Sequence, residues 1–460
     1  MKTYQPKTTP KARLHRMVTT LRDEIDTGKR KQGEFIPSEL NLCEQFELSR
    51  SSVRKGLETL VAEGYIEKVE RVGTKVLERP HPDAITLVFG IYSSLLDEVN
   101  LQELVNDFQL EYPNIRIEMV DHLFPNNRPA MISHTQAKGI DVLLTNAYHF
   151  ETMEGAGEEP SILAPLEPNE GIYSFLSSHF TKNGALLVQP FLFSPVILCY
   201  NKDHFREKGL SEPDSSWTWE EVRQAGKRLS NGSDRYGLYF HVLSDNRWPL
   251  FLLQNGVKFR KNGQGTYQLD DPNIKESLQY CMSLMNDREL FPAYLSESNT
   301  DVEALFLKQN VSMIVVTYNS LNALRGASFA YDIAPLPYYR EPKTLLSVIG
   351  LAINRESKQQ AAAKLFIDYM TSPKAQLSIR KQTLNIPALR SAAEWTGEEP
   401  ISGRPSRFHL FREIMPTFRF FTELGIPFSQ FSIMRDELKF YWAGLDSLDN
   451  VLMQMEDKLT

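Results

Sequence analysis

Over residues 11–77 the apolar positions change period twice, and each change marks an element. Leu14, Met17, Val18, Leu21 and Ile25 recur at helical spacing, and Gly28 closes that run. Ser38 suits the N-cap of a short helix through Leu42, Cys43 and Phe46; Glu47 and Leu48 make a turn, and Ser49 caps a third helix. At about 100° per residue, Val53, Leu57, Leu60 and Gly64 fall on one arc of that helix, while Arg50, Ser51, Arg54 and Glu58 fall on the next. One face packs and the other is left free. Tyr65–Val69 and Thr74–Leu77 then read as strands, with Glu70, Arg71, Val72 and Gly73 at the tip between them. Two helices across a tight turn, followed by a hairpin, have the spacing of a winged helix-turn-helix.

Residues 1–10 are polar with two prolines and are expected to be disordered, and 78–84, with Pro80 and Pro82, reads as a short, semi-rigid linker. From Ile85 the pattern alternates. Strands at 85–92, 115–120 and 140–145 are separated by a helix through Leu101, Leu104, Val105 and Phe108. Later come a strand at 196–201, a helix opened by a Thr218/Glu221 capping box, helices at 273–287 and 300–308, strands at 311–316 and 348–354, and a helix at 358–370. Such alternation predicts an α/β domain with a parallel sheet under helices. The last segment, 396–460, starts loop-like and ends in one amphipathic helix from about Ile433 to Lys458.

Composition narrows the class. The 460 residues are 42% hydrophobic and 24% charged, the balance of a soluble globular chain of several domains. Residues 1–80 hold 16 Lys+Arg against 12 Asp+Glu, a net of +4, so the chain total of −7 leaves −11 on the remainder. A basic head suits a polyanion, and an acidic body suits neither nucleic acid nor a membrane surface. Cys43, Cys199 and Cys281 are too widely spaced for a metal pair and odd in number, and no apolar run resembles a signal peptide or a membrane span. A cytoplasmic location is expected.

The ordered set I25xxG28, G33, P37SE39, F46, L48SRSSVR54, L57, L60, E63GYI66 and G73T74 resembles the winged-helix domain of GntR-family transcription regulators. The resemblance implies that Arg50, Ser51, Ser52 and Arg54 contact DNA and that Gly73 lets the wing approach the minor groove. Ser38, Lys55 and Arg71 complete the candidate DNA contacts. One departure is Leu40, which stands where the family usually carries an arginine.

Catalytic patterns are missing from the rest: there is no H-E-x-x-H, no G-x-S-x-G, and 263-GQG-265 lacks the flanks of a dinucleotide fingerprint and reads as a turn. An aminotransferase-like domain, found on some GntR heads, would need a Schiff-base lysine. Lys374 instead follows a Ser372 cap and Pro373, and the sequence after it lacks that family's glycines and arginine. Residues 85 to about 390 instead resemble family-1 extracellular solute-binding proteins, through ITLVFGIYSS, LVNDFQLEYPNIRIE, GIDVLL, LAPLEP, the stretch 189–229, YDIAPLP, GLAIN and AAAKLFIDYMTSPKAQ. The resemblance implies a two-lobed, type II periplasmic-binding-protein fold, spanning 85–460 with its C-terminal helices, that closes on a sugar or oligosaccharide. A transport role is opposed by the missing signal peptide and the DNA-reading head.

A pyranose site needs aromatic faces and planar hydrogen-bonding groups, placed just past strand ends. The candidates are Tyr92, Ser94, Asn146, Tyr148, Asp245, Asn246, Arg247, Trp248, Tyr318 and Asn319. Trp217 and Trp219 read as structural. The expected whole is a DNA-binding regulator, homodimeric on a palindromic double-stranded operator, controlled by a small-molecule effector, with no catalysis, metal or cofactor and no membrane contact.

Overall fold

The computed structural model describes residues 10–26, 28–69, 72–77, 85–92, 95–122, 128–154, 160–293, 296–397 and 401–459. The expected disordered terminus up to residue 9, the linker 78–84, and the candidates Arg71 and Ser94 lie outside them. Two compact units form: Met1–Thr86 with Asp107–Ile117, and Leu87–Asn106 with Glu118–Thr460.

In the first unit α1 (Pro10–Asp26), α2 (Glu39–Phe46) and α3 (Arg50–Ala62) precede the hairpin β1 (Ile66–Val69) and β2 (Gly73–Val76). Ser38 Oγ accepts from Asn41 N at 3.2 Å and Ser49 Oγ from Ser52 N at 3.2 Å, so both helices start where a side chain satisfies an otherwise orphaned amide. Glu47, left-handed at φ 51°, makes the turn between them. Met17, Leu21, Leu42, Phe46, Val53, Leu57, Leu60, Ile66 and Val76 close one core. Gly56 lets α1 approach α3: a Cβ there would lie 2.3 Å from Met17 Cε and 2.9 Å from Leu14 Cδ1.

The second unit is organised by the strand Gln189–Asn201, whose thirteen residues are all buried. Its first part, Gln189–Pro195, runs antiparallel to Thr344–Ile353; from Val196 it runs antiparallel to Val311–Thr317, and Leu198–Asn201 also pairs with Tyr331–Ala334. One strand thus serves two sets of neighbours. Val142–Asn146 extends the first set, antiparallel to Thr344–Ile353 and parallel to Ile85–Ile91, and Tyr236–Tyr239 extends the second, parallel to Val311–Thr317. The sheet is therefore mixed, not parallel as expected, because the two long strands that join the sets run against their neighbours. The register shifts between Ile349 and Gly350, where Gly350 faces Pro190. A prolyl nitrogen donates nothing, so it fits where the ladder is already broken.

The Thr218/Glu221 capping box forms, Trp219 is buried, and 263-GQG-265 lies between the short strands Arg260–Lys261 and Tyr267–Gln268. The expected single C-terminal helix is two, Phe428–Trp442 and Leu448–Glu456, broken around Gly444, whose φ is +70°. One helix could not present both apolar stripes to the same core; the break lets Phe431, Met434 and Leu438 pack together with Val451, Leu452 and Met455.

A Cβ on residue 350 would lie 2.4 Å from Val188 Cγ1 and 2.8 Å from the Gln189 carbonyl oxygen. Backbone cannot swing aside as a side-chain tip can, so Gly350→Ala should destabilise this unit by about 1–3 kcal/mol. Urea unfolding of the parent and the variant checks this; equal midpoints would show that the bulge relaxes freely.

Candidate functional site

The head presents its basic surface where the helical period puts it. Arg50, Ser51, Arg54 and Lys55 are exposed at the start of α3 while Val53 beneath them is fully buried. Ser49 Oγ lies 3.0 Å from Ser51 Oγ and 2.9 Å from Ser52 Oγ, a hydroxyl cluster at the helix entrance. Arg54 Nε donates to both oxygens of Glu39, at 2.9 and 3.1 Å. Ser38 spends an acceptor on its cap, and Gly73, at φ +151°, has the Phe35 ring 3.2 Å from where a Cβ would stand. Leu40 is 51% exposed.

The second unit holds two adjoining cavities of about 400 Å³ each, which share Asn146, Asn299, Thr317, Asn319 and Ile349 and so form one cleft. Ile349 sits at the register shift, which places the cleft floor on the joining strands. Tyr92, Glu98, Glu303 and Asn322 line one end; Tyr148, Asp245, Asn246, Phe421 and Phe428 line the other. The residues after Val311–Thr317 form a 3₁₀ helix, Tyr318–Gly326, and three residues per turn put Asn319 and Asn322 on one face, toward the cleft.

Of the candidates, Tyr92, Asn146, Tyr148, Asp245, Asn246 and Asn319 line this cleft. Tyr92 Oη is hydrogen-bonded to His149 Nδ1, and Asn146 Oδ1 accepts from His149 N at 2.9 Å. Burial and nearby His122 push the His149 imidazole down to about 3, so it stays neutral. Asp245 is clamped by Arg435, whose Nη1 lies 2.7 Å from both carboxylate oxygens. Asn319 N donates to Ser194 Oγ at 3.1 Å, whereas Asn319 Oδ1 is buried with no partner within the protein.

Three candidates are corrected. Tyr318 is fully buried, its hydroxyl donating to the Phe408 carbonyl at 3.1 Å and accepting from Phe411 N at 2.9 Å. Trp248 is fully buried against Phe431 and Trp442, with ring centroids 5.7 and 5.9 Å away. Arg247 is buried beneath the cleft, giving Nε to the Val315 carbonyl at 2.9 Å and Nη groups to Asn246 and Asn299. Burial lowers its guanidinium to about 9, and neighbouring Glu303 partly offsets this. It braces two lining asparagines. The chain turns inward at this point: Asp245 and Asn246 are half-buried, while Arg247 and Trp248 open the buried helix Pro249–Gln254.

Several lining residues escaped the sequence reading. Phe421 and Phe428 belong to the C-terminal segment, where the density of phenylalanine in 418–428 was the available signal. Tyr148 and Phe428 lie 4.2 Å apart by ring centroid, an aromatic wall. Glu98 and Glu303 also line the cleft, without any motif to announce them. Burial, then the charge of Glu303, pushes the Glu98 carboxyl up to about 7; burial also raises Glu303, and Ser320 and Arg247 ease it. Among the described residues no group of three or more His, Cys, Asp or Glu could hold a metal ion, and no helix is long and apolar enough to cross a membrane.

Known proteins match both units. Residues 15–76 match bacterial regulatory proteins of the gntR family, and residues 92–377 match the bacterial extracellular solute-binding proteins; both are families of regulators and binders, not of catalysts. The chain is 25% identical over 232 residues to the sn-glycerol-3-phosphate-binding periplasmic protein UgpB of Shigella dysenteriae and of Escherichia coli K12, which covers 48% of this chain. It spans about half the length (52%) of those curated relatives. Among solved structures, the substrate-binding protein Lmo0181 of Listeria monocytogenes, in complex with cycloalternan, superposes with a TM-score of 0.67 at 18% identity, covering 82% of this chain and 98% of that one. Maltose-bound MalE3 of T. maritima gives 0.67 at 16%, covering 82% and 99%. The mixed two-set sheet with a cleft on its joining strands is thus their fold, and the chain belongs to the bacterial extracellular solute-binding protein family, with a gntR-family regulatory domain at its N-terminal side.

Proposed function

We propose that this protein is a cytoplasmic transcription regulator whose grip on a double-stranded operator is set by a carbohydrate held in the cleft. The observation that carries this reading is the presence, in one chain, of a gntR-type head and a solute-binding unit. A cleft of this volume floored by joining strands, with an aromatic wall of Tyr148 and Phe428 and asparagines on the facing side, suits a sugar ring: apolar faces stack and amides bind hydroxyls in pairs. The ligands bound in the solved neighbours, cycloalternan and maltose, support the same class.

Arg50, Ser51, Ser52, Arg54 and Lys55 at the start of α3, together with Ser38, Gly73 and, on the sequence resemblance, Arg71, would meet DNA, and two heads on a palindrome imply a homodimer. A ligand that prefers the closed unit shifts the open–closed equilibrium by its differential affinity, and the spacing of the two heads follows. The Arg54–Glu39 pair is exposed and worth little, so operator contact can break it.

Two measurements test the reading. Arg50→Ala should cost on the order of 1–3 kcal/mol of operator affinity by anisotropy, with thermal stability unchanged, because the side chain is exposed. Parent-like binding would remove α3 from the interface. In calorimetry, Tyr148→Ala and Phe428→Ala should each lose about 1–3 kcal/mol of affinity for whichever oligosaccharide stabilises the protein, through lost stacking area. Trp248→Ala should instead destabilise the fold by about 3–5 kcal/mol, since it empties core volume. Ligand affinity that falls only for Trp248→Ala would reverse the assignment.

A further inference from the structure

The charges around the cleft are unevenly treated. Asp245 at one end is neutralised by Arg435, but Glu98 and Glu303 at the other end share a cavity whose lining includes no lysine or arginine. Neither does the lining of the adjoining cavity, and the stretches of this unit outside the described residues, 93–94, 123–127, 155–159, 294–295 and 398–400, contain no basic residue. Among the described residues the cation that eases Glu303 is Arg247, whose donors already serve Val315, Asn246 and Asn299.

Anions find no other welcome. Asn299 and Thr300, which open the helix Asn299–Leu307, line the cleft, and a helix entrance can hold a phosphate. Here Asp301 of the same helix already sets a carboxylate at that entrance, accepting from Glu297 N at 2.8 Å and Ser298 N at 3.1 Å just ahead of the first turn, and its charge opposes a second anion there. The shared wall also carries Asn319, whose buried Oδ1 has no partner within the protein. Two carboxylates and an orphaned amide oxygen call for a group made only of donors, and an ammonium is such a group: three N–H donors, no acceptor, one positive charge. A neutral sugar would leave this raised pair either to hold a proton or to be desolvated as two charges when the cleft closes, whereas an ammonium lets both carboxyls ionise.

We infer that the effector is an amine-bearing carbohydrate, an amino sugar in its ammonium form, whose nitrogen sits between Glu98 and Glu303 while its rings rest on Tyr148 and Phe428. This rests on the carbohydrate reading above and narrows it. Phosphorylated polyols, the class for which the glycerol-3-phosphate-binding relatives are named, are disfavoured by the same charges.

The test uses the full chain and four probes: a glucosamine disaccharide, its N-acetylated counterpart, maltose and glycerol 3-phosphate, titrated calorimetrically at pH 7. The free-amine disaccharide should bind at least tenfold more tightly than its N-acetylated form and than maltose, and glycerol 3-phosphate should not bind. Glu98→Gln and Glu303→Gln should each remove most of that preference, and a ligand-free thermal unfolding midpoint close to the parent's shows the variants to be folded. Maltose or the N-acetylated sugar binding as well as the amine would overturn the charge argument and leave the carbohydrate reading standing. Glycerol 3-phosphate as the tightest probe would overturn both, as would a panel in which nothing binds.

Discussion

The second unit depends on one buried strand that changes neighbours halfway along. Gln189–Asn201 gives its first seven residues to one set of strands and the rest to another, and Pro195, which brings no N–H, stands at the changeover. With the second long strand, Thr344–Ile353, it joins two half-sheets through continuous hydrogen-bonded chain. The cleft lies where these strands pass, so Ser194, Ser347, Val348 and Ile349 line it from below. Any rotation of one half against the other must be absorbed here, where ladder bonds are already missing opposite Pro190 and beside Gly350.

Around this floor the walls come from distant parts of the sequence. Asn146 and Tyr148 follow one strand, Asn319 and Asn322 follow another, and Phe421 and Phe428 arrive from the C-terminal segment. Two buried or clamped arginines hold the arrangement. Arg247 braces Asn246 and Asn299 from beneath, and Arg435 ties the C-terminal helix to Asp245. Neither lines the cleft, yet each fixes a residue that does, the division of labour expected when a site is preorganised on rigid elements.

Local features were legible in the sequence because local physics decides them. The α3 arcs hold residue by residue, with Val53, Leu57 and Leu60 buried and Arg50, Arg54 and Glu58 exposed, and the Thr218 capping box is satisfied by atoms three residues apart. Strand direction was not legible, because alternation of strands and helices does not encode which distant strand becomes a neighbour. Trp248 and Tyr318 misled for one reason: a polar neighbourhood in sequence is not one in space, since a turn at Asn246 and a 3₁₀ helix after Thr317 send adjacent side chains in opposite directions. Glu98 and Glu303 acquire meaning only once the 204 residues of chain between them are folded away.

Leu40 has a consequence in ionic strength. A half-exposed leucine near the start of α2 has no charge to exchange for the ions condensed on a duplex, whereas an arginine at that place would release about one more when a phosphate is neutralised. A head lacking that exchange loses affinity less steeply as salt rises. Its apolar methyls can instead meet the 5-methyl of thymine, a contact salt does not screen. A duplex gripped by such a head would stay bound through a wider range of osmolarity, and its occupancy would then report the ligand more than the salt around it.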